Sequence, residues 1–334
     1  MSELQRNCEQ FENISYLIEA TNKEIDPCLK MAYAIAFCVN NLAALKQRYK
    51  FPFPGVLGET YELDYDENQA QFKYLAEQVD IKPSTIAYHC KSQNFEVWGT
   101  IIKQIEFWGK SIEIEPKGIT HIKLNNDNNF ICSNGYKIKI SNLENENPKI
   151  DIEGDINFQN LETKDQGEIS FQKDSLSSTN YNFLGSIKNS KGENKFKLFG
   201  IWNSTFILQN VITKKTIELL KKTNFNENDS NPDQSFFSNF TLNLNILNLD
   251  LIEKLPLTDS RFRSDVKALE FGEIKFANEE KNRIEAKQRD RKYKPMFFEE
   301  FLDSFNNKTE FIFKGNYWKM REEENLSEES ETLF

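Results

Sequence analysis

Histidine and cysteine are scarce in this chain of 334 residues, which has two histidines and five cysteines. The cysteines are odd in number and form no Cys-x-x-Cys pair, so we expect reduced thiols in a cytosolic protein rather than a disulfide framework. His89 and His121 have no second histidine or cysteine at the spacing of a metal site. His89 and Cys90 are adjacent in a predicted strand, so their side chains should point to opposite faces. We predict two satisfied or surface histidines, no metal ion and no cofactor.

Long hydrophobic runs and an excess of positive charge are also missing. The longest apolar run, Met31 to Val39, has about half of the roughly 20 residues that span a bilayer, and the polar N-terminus has no apolar stretch of a secretory signal. The net charge of −10 and the pI near 5.1 argue against a nucleic-acid partner, which needs a basic face. A local basic patch still permits transient membrane contact. We therefore predict a cytoplasmic protein that is peripheral at membranes.

The motifs of common catalytic sites are absent. Gly109-Lys110-Ser111 resembles the end of a phosphate-binding loop, but Gln104 stands where that loop requires glycine. Neither Gly-x-Ser-x-Gly nor Gly-x-Gly-x-x-Gly occurs, and no carboxylate pair stands out as an acid and base couple. The sequence therefore predicts a protein that is not an enzyme.

Hydrophobic periodicity divides the chain into three parts. Apolar residues recur at helical spacing over residues 2–25 and more strongly over 27–47. From about 58 to 210 they alternate with polar residues, as in antiparallel strands with one apolar face. Ten or more such strands favour a sandwich or a closed barrel, and a large barrel can enclose an elongated ligand. Residues 265–292 then predict a charged helix, and no linker divides the chain into two domains.

Several short motifs occur in a fixed order from about residue 27 to 321. They are Phe53-Pro54-Gly55-Val56-Leu57-Gly58-Glu59-Thr60-Tyr61-Glu62-Leu63, Glu77-Gln78-Val79 with Pro83, Leu255-Pro256-Leu257-Thr258-Asp259-Ser260-Arg261, Ala268-Leu269-Glu270, Pro295-x-Phe297-Phe298 and Gly315-Asn316-Tyr317-Trp318. This series resembles the landmarks of the oxysterol-binding protein family.

The resemblance implies a mostly β, α+β fold. An incomplete antiparallel β-barrel would enclose a tunnel that takes one sterol or one phosphoinositide, with helices on its C-terminal side. Residues 1–321 would form one lipid-binding domain, and residues 322–334 an acidic tail. Residues 1–26 are the candidate lid over the tunnel; the alternative is an amphipathic segment packed permanently on the barrel.

The chain departs from the family where the tunnel entrance grips lipid phosphates. Phe51 and Pro54 stand where the family has lysine and asparagine, and neither side chain donates a hydrogen bond. Lys50, one residue earlier, is the candidate substitute. Ile81 and Lys82 replace the family's paired histidines, so that only Lys82 offers charge to a phosphate.

A third group of entrance residues is kept. Lys281, Glu285 and Arg289 match the family's Lys, Glu and Arg in type and spacing, which places them on one helix face. From the spacing alone, a ladder of ordinary ion pairs is an equal alternative. The predicted headgroup-binding residues are Lys50, Lys82, Lys281, Glu285 and Arg289.

Two functions remain open from the sequence. The first is a carrier or sensor that holds one sterol-like lipid and moves it between membranes, with weakened or lost binding of phosphatidylinositol 4-phosphate. Its partners would be a sterol or another lipid and, transiently, a membrane. The second is a structural or assembly subunit that keeps the fold without exchanging lipid, through an unidentified protein partner.

Overall fold

The structure is a computed structural model of the chain. The described residues are 1–22, 25–46, 53–67, 70–124, 128–144, 148–172, 182–219, 237–289, 291–303, 308–324, 326 and 333–334. Two residues of the predicted entrance site, Lys50 and Phe51, lie outside the described residues.

Short helices precede the sheet. They are α1 (Glu3–Cys8), a 3₁₀ segment (Glu9–Asn13), α2 (Ser15–Ala20), α3 (Pro27–Asn40) and a second 3₁₀ segment (Asn41–Lys46). The helical spacing over residues 2–25 is therefore realised as two helices joined by a tighter turn. Across the 3₁₀ segment the buried apolar residues Cys8, Phe11 and Ile14 are three positions apart, which matches the three-residue period of such a segment.

The α3 helix is fixed at its first turn by its own sequence. Asp26 precedes it, and the Asp26 carboxylate accepts hydrogen bonds from the backbone N–H groups of Cys28 and Leu29. Pro27 occupies the first helical position, where its missing N–H costs nothing. The predicted helix over 27–47 is thus confirmed at its start, whereas its α-helical part ends at Asn40.

Twelve strands form one antiparallel sheet in which each strand pairs with its neighbours in sequence. They are β1 (Thr60–Glu67), β2 (Ala70–Ile81), β3 (Ser84–Lys91), β4 (Phe95–Phe107), β5 (Ser111–Leu124), β6 (Asn128–Ser141), β7 (Lys149–Asn160), β8 (Gln166–Phe171), β9 (Phe183–Lys188), β10 (Asn194–Ile201), β11 (Thr205–Asn210) and β12 (Thr216–Glu218). In the described ranges β1 and β12 do not pair, so the sheet is not closed. This confirms the incomplete antiparallel barrel implied by the resemblance and excludes the closed barrel and the sandwich.

One face of the sheet is covered by the N-terminal helices. Phe11 lies at the centre of this packing, with its ring centroid 5.2–6.5 Å from those of Phe37, Phe72, Tyr74 and Tyr88. The α3 helix packs against β6 to β9. This inner face therefore has a continuous apolar core to which the first 20 residues contribute Leu4, Cys8, Phe11, Ile14, Tyr16, Leu17 and Ala20.

The C-terminal region covers the opposite face of β2 to β4 with only part of its elements. Its elements are α4 (Asn239–Asn243), α5 (Leu249–Ile252), a 3₁₀ segment (Ser260–Phe262), α6 (Ser264–Glu270), α7 (Ile274–Gln288), the hairpin strands β13 (Phe298–Asp303) and β14 (Lys308–Phe313), and α8 (Tyr317–Glu322). The α4 helix contacts the N-terminal 3₁₀ segment, whereas β14 contacts β3 and β4 on the opposite face of the sheet. Leu75, Val79 and Ala87 pack there against Phe297 and Tyr317. As expected, Cys90 belongs to the inner core, whereas the ring of His89 stacks on Phe313 outside it.

The prediction of a single charged helix over residues 265–292 is wrong, because the structure has two helices there. The α6 helix ends before Gly272, whose φ of +78° lies outside the helical region and is rarely adopted by other residues, and α7 begins after it. Two described residues of the predicted acidic tail, Leu326 and Leu333, are buried. No helix in the described part of the chain has both the length and the apolar character needed to cross a membrane.

Candidate functional site

A cavity of about 290 Å³ brings four of the five predicted headgroup residues together. Lys82 borders it from the turn between β2 and β3, and Lys281, Glu285 and Arg289 border it from α7. The loop of residues 54–57 forms another wall. Three of these four predicted residues are cations, so the rim of the cavity is suited to an anion. The role of these residues in binding stays a prediction.

The residues Lys281, Glu285 and Arg289 on α7 border the cavity, as a binding site requires, and they also include an ordinary ion pair. Lys281 Nζ lies 3.4 Å from Glu285 Oε1, as in an ordinary ion pair between residues four apart. The same Nζ lies 5.6 Å from the ring centroid of Phe53. Because the Glu285 side chain is 52% exposed, the pair contributes at most about 1 kcal/mol to stability. Lys281 can therefore exchange Glu285 for a stronger anion at low cost.

Arg263 holds the loop wall in place and was missed by the sequence analysis. Its guanidinium donates to Glu59 Oε2 at 2.8 Å, to Asp265 Oδ2 at 2.6 Å and to the Pro54 carbonyl at 2.9 Å. Burial alone would lower the pKa of Arg263, but Glu59 and Asp265 raise it above its ordinary value. Its charge is thus committed to two buried carboxylates, and we assign Arg263 to positioning the loop rather than to binding a ligand.

Glu59 joins two motifs that are about 200 residues apart in sequence. It accepts hydrogen bonds from the Ser260 hydroxyl at 2.6 Å and from the Val56 N–H at 2.9 Å. Beside it, the Thr60 N–H donates to the Thr258 carbonyl at 2.9 Å. Burial raises the pKa of Glu59, and Arg263 opposes that shift. The motif residues Glu59, Thr60, Thr258 and Ser260 therefore hold together the two segments beside the entrance cavity.

A second clamp joins β2 to the segment before β13. The Glu77 carboxylate accepts from the Met296 and Phe297 N–H groups at 2.7 and 2.9 Å and from the Tyr293 hydroxyl. The Tyr293 ring covers Gly58, where an added Cβ would lie 2.9 Å from a ring carbon. The Glu77-Gln78-Val79 motif thus positions the strand end that carries Lys82.

A family model described as oxysterol-binding protein matches residues 1–322. The chain belongs to the oxysterol-binding protein family.

Curated relatives of the oxysterol-binding protein family are longer than this chain. Oxysterol-binding protein-related protein 2B of Arabidopsis thaliana is 31% identical over 339 residues, which cover 96% of this chain and 47% of that relative. Oxysterol-binding protein-related protein 7 of Homo sapiens is 32% identical over 340 residues, which cover 97% of this chain and 39% of that relative. The chain therefore spans less than half of the length of these two relatives.

Solved structures of the same family confirm the fold. The Osh1 ORD domain in complex with ergosterol superposes with a TM-score of 0.85 at 24% identity, covering 99% of this chain and 84% of that one. The Osh3 ORD in complex with PI(4)P from Saccharomyces cerevisiae superposes with a TM-score of 0.81 at 27% identity, covering 100% of this chain and 88% of that one.

In this member of the oxysterol-binding protein family, the inner face carries a buried hydroxyl with no partner. Five tyrosines are buried there: Tyr16, Tyr61, Tyr74, Tyr88 and Tyr136. Three of them donate or share hydrogen bonds: Tyr16 with the Leu219 carbonyl, Tyr61 with the Leu244 carbonyl, and Tyr88 with Thr120. The Tyr74 hydroxyl has no hydrogen-bond partner among the described groups. Leaving a buried hydroxyl unpaired costs about 1–3 kcal/mol, which makes Tyr74 a candidate contact for a polar end of a ligand.

The site helix α7 is pinned to α6 by Glu280, which supplies a pH-dependent prediction. Arg283 and the Ser264 hydroxyl lower the pKa of Glu280 to about 2 by hydrogen bonding to its carboxylate. Because the folded pKa is lowered, this stabilisation is complete above the ordinary pKa of about 4.5 and is lost as the pH falls toward 2. We expect Glu280→Gln to cost about 0.5–1 kcal/mol at pH 7, a value discounted for solvent screening.

Urea unfolding at several pH values measures this effect. The difference in free energy of unfolding between the original chain and Glu280→Gln should narrow as the pH falls from about 4.5 toward 2, while Glu279→Gln serves as the control on the same helix. A difference that stays constant over that range would show that Glu280 acts without its charge.

Proposed function

We propose that this chain is a lipid carrier that holds one sterol-like lipid on the inner face of its sheet and moves it between membranes. The observation that carries the proposal is the aromatic inner face, which is roofed by residues 1–20 and contains the unpaired Tyr74 hydroxyl. Burying the apolar surface of a sterol there is favourable by about 25 cal/mol per Å². A single hydroxyl matches the single polar group of a sterol. The sterol complexes of the similar Osh1 ORD domain support this ligand class.

The N-terminal segment is the lid of this proposal. Its Glu3 accepts hydrogen bonds from Lys103 Nζ at 2.8 Å and from the Gly55 N–H at 3.1 Å, so it links β4 to the loop of the cavity. Burial raises the pKa of Glu3, but Lys103 and Gly55 bring it below its ordinary value. Opening of the lid would break these contacts and the hydrogen bonds of Gln5 to the Leu244 carbonyl and to Asn245, and it would withdraw Phe11 from the inner face.

A membrane-contacting surface lies on the strand to which the lid is attached. Beyond Lys103, β4 ends in Phe107, and Trp108 follows in the turn to β5; these two side chains are 67% and 64% exposed. Aromatic side chains at an exposed tip insert favourably into the interface of a bilayer. All five cysteines are free thiols, in keeping with a protein of the reducing cytoplasm that meets membranes peripherally.

Binding of phosphatidylinositol 4-phosphate is weakened in this proposal. The cavity keeps the α7 face with Lys281 and Arg289, but Pro54 and Ile81 supply no side-chain donor on the other walls. Each missing charge-assisted hydrogen bond removes about 1.5–3 kcal/mol of binding free energy. The chain therefore retains part of an anion site that would grip a phosphoinositide in its relatives, of which the Osh3 ORD is solved in complex with PI(4)P.

Lipid extraction from vesicles tests the proposal. The purified chain is incubated with vesicles that contain labelled sterol or labelled phosphatidylinositol 4-phosphate, and the lipid removed per protein is counted. We expect extraction of about one sterol and little phosphoinositide. Tyr74→Phe should lower sterol affinity about 2- to 10-fold without loss of stability, since the removed hydroxyl has no partner. Tyr61→Phe, which loses the bond to Leu244, is the matched control.

The outcomes separate the alternatives. Equal extraction of both lipids would overturn the weakened phosphoinositide site. Extraction of neither lipid, with no lipid seen by native mass spectrometry, would overturn the carrier and favour the structural or assembly subunit. The family does not consist of enzymes, and no catalytic step is proposed.

A further inference from the structure

Both histidines border a cavity that plays no part in the proposed lipid function. This cavity of about 730 Å³ lies between the outer face of the sheet and the hairpin of β13 and β14. His89 and His121 both border it, and each ring is 2.7–2.8 Å from a carboxylate oxygen, of Glu96 and Glu310 respectively. Within the described part of the chain, a second carboxylate, that of Asp303, lies near the His121 and Glu310 pair, whereas the His89 and Glu96 pair has no such third group.

The three groups come together through the register of three strands. His121 lies on β5, Asp303 at the end of β13, and Glu310 on β14. Asp303 pairs with Lys308 and Phe301 pairs with Glu310, so Asp303 and Glu310 are diagonal neighbours on one face of the hairpin. Their ligand atoms and one ring nitrogen of His121 all lie within 4.8 Å of one another. No other group of three such side chains is found in the described ranges.

The spacing of these atoms suits one small cation. Zinc bonds of about 2.0–2.2 Å to imidazole nitrogen and carboxylate oxygen place tetrahedral ligand atoms about 3.3 Å apart. The observed separations, from 2.7 Å for His121 and Glu310 up to the limit of 4.8 Å, bracket that value. Small rotations of two carboxylates would therefore close the set on a metal, with the cavity supplying water as the fourth ligand.

Burial and orientation also favour a cation. Asp303 and Glu310 are 7% and 5% exposed, so a cation held between their carboxylates would be shielded from solvent. Trp98 stacks on the His121 ring with centroids 5.0 Å apart and planes within 2°, which restricts the orientation of the imidazole.

We propose that His121, Asp303 and Glu310 bind a divalent transition-metal cation of the Zn²⁺ class. An imidazole with two carboxylates accepts such borderline cations and is a poor match for the all-oxygen shells of Ca²⁺ or Mg²⁺. The metal fastens the C-terminal hairpin to β5. The hairpin begins at Phe298, next to the N–H groups that hold Glu77, so the metal also steadies the wall that carries Lys82.

Zinc titration of the full chain, stripped with a chelator, tests the site. We expect one Zn²⁺ per chain with a dissociation constant in the micromolar range or below, and a rise in melting temperature on zinc addition. His121→Gln and Asp303→Asn should each weaken binding at least about 100-fold. His89→Gln is the matched control, because His89 has the same kind of carboxylate partner and a stacked ring (4.7 Å to Phe313) but no third ligand; it should leave zinc binding unchanged.

Cobalt spectroscopy makes the test independent of how the variants fold. Co²⁺ bound to the unaltered chain should give the visible bands of a nitrogen and oxygen site and be displaced by one equivalent of Zn²⁺. Thiolate charge-transfer bands would assign the metal to the cysteines and overturn the proposal. So would the absence of saturable binding, or equal losses in His89→Gln and His121→Gln, which would leave His121 and Glu310 as a hydrogen-bonded pair only.

Discussion

Replacing Arg263 with methionine is expected to lower the free energy of unfolding by about 3–5 kcal/mol. The Arg263 side chain is 2% exposed, and its partners Glu59 and Asp265 are fully buried. The substitution leaves two carboxylates in the interior without their cation, and it frees the Pro54 carbonyl. The cost comes from these uncompensated charges, since a complete buried ion network can be close to neutral in its net contribution.

Urea unfolding measures this loss against a control of the same residue type. Arg283→Met removes an arginine that is 41% exposed and pairs with Glu280, so it should cost at most about 1 kcal/mol. Adding Glu59→Gln and Asp265→Asn to Arg263→Met should recover part of the loss, because the neutral amides tolerate burial better. A loss below about 1 kcal/mol in Arg263→Met would contradict the assignment of Arg263 as the centre of this network.

The largest expected gain of function comes from restoring histidines at the entrance. Ile81→His with Lys82→His should strengthen binding of phosphatidylinositol 4-phosphate about 10- to 100-fold. Both positions border the cavity opposite α7, so one added charge-assisted hydrogen bond is worth about 1.5–3 kcal/mol. Because an unperturbed histidine titrates near pH 6.5, the gain should be larger at pH 6 than at pH 8.

Vesicle extraction of the phosphoinositide measures this gain, and sterol extraction by the same variant is the control that should not change. Adding Lys281→Ala and Arg289→Ala to the double variant should abolish the gain, since α7 supplies the other half of the grip. If affinity stays at the level of the original chain, Lys281, Glu285 and Arg289 form only a surface ladder of charges.

Only part of the candidate entrance site was predictable from the sequence. The spacing of Lys281, Glu285 and Arg289 placed them on one helix face, and the structure brings them to the cavity with Lys82. Arg263 could not be found in this way. It lies outside the quoted motifs, and its partner Glu59 is 204 positions away in sequence. Its burial is the signal that identifies it, and burial of an arginine cannot be read from a pattern of apolar residues.

The sequence by itself determined the strand-rich architecture, the order of its parts and the family. Alternation of apolar and polar residues records which face of each strand is covered, and that information is local. The tertiary structure alone decided that residues 265–292 form two helices, and that the motif residues Glu59 and Glu77 hold together the segments around the entrance cavity. It also placed His121 beside Asp303 and Glu310, about 180 positions later. Such contacts depend on the path of the whole chain, which no periodicity within one segment records.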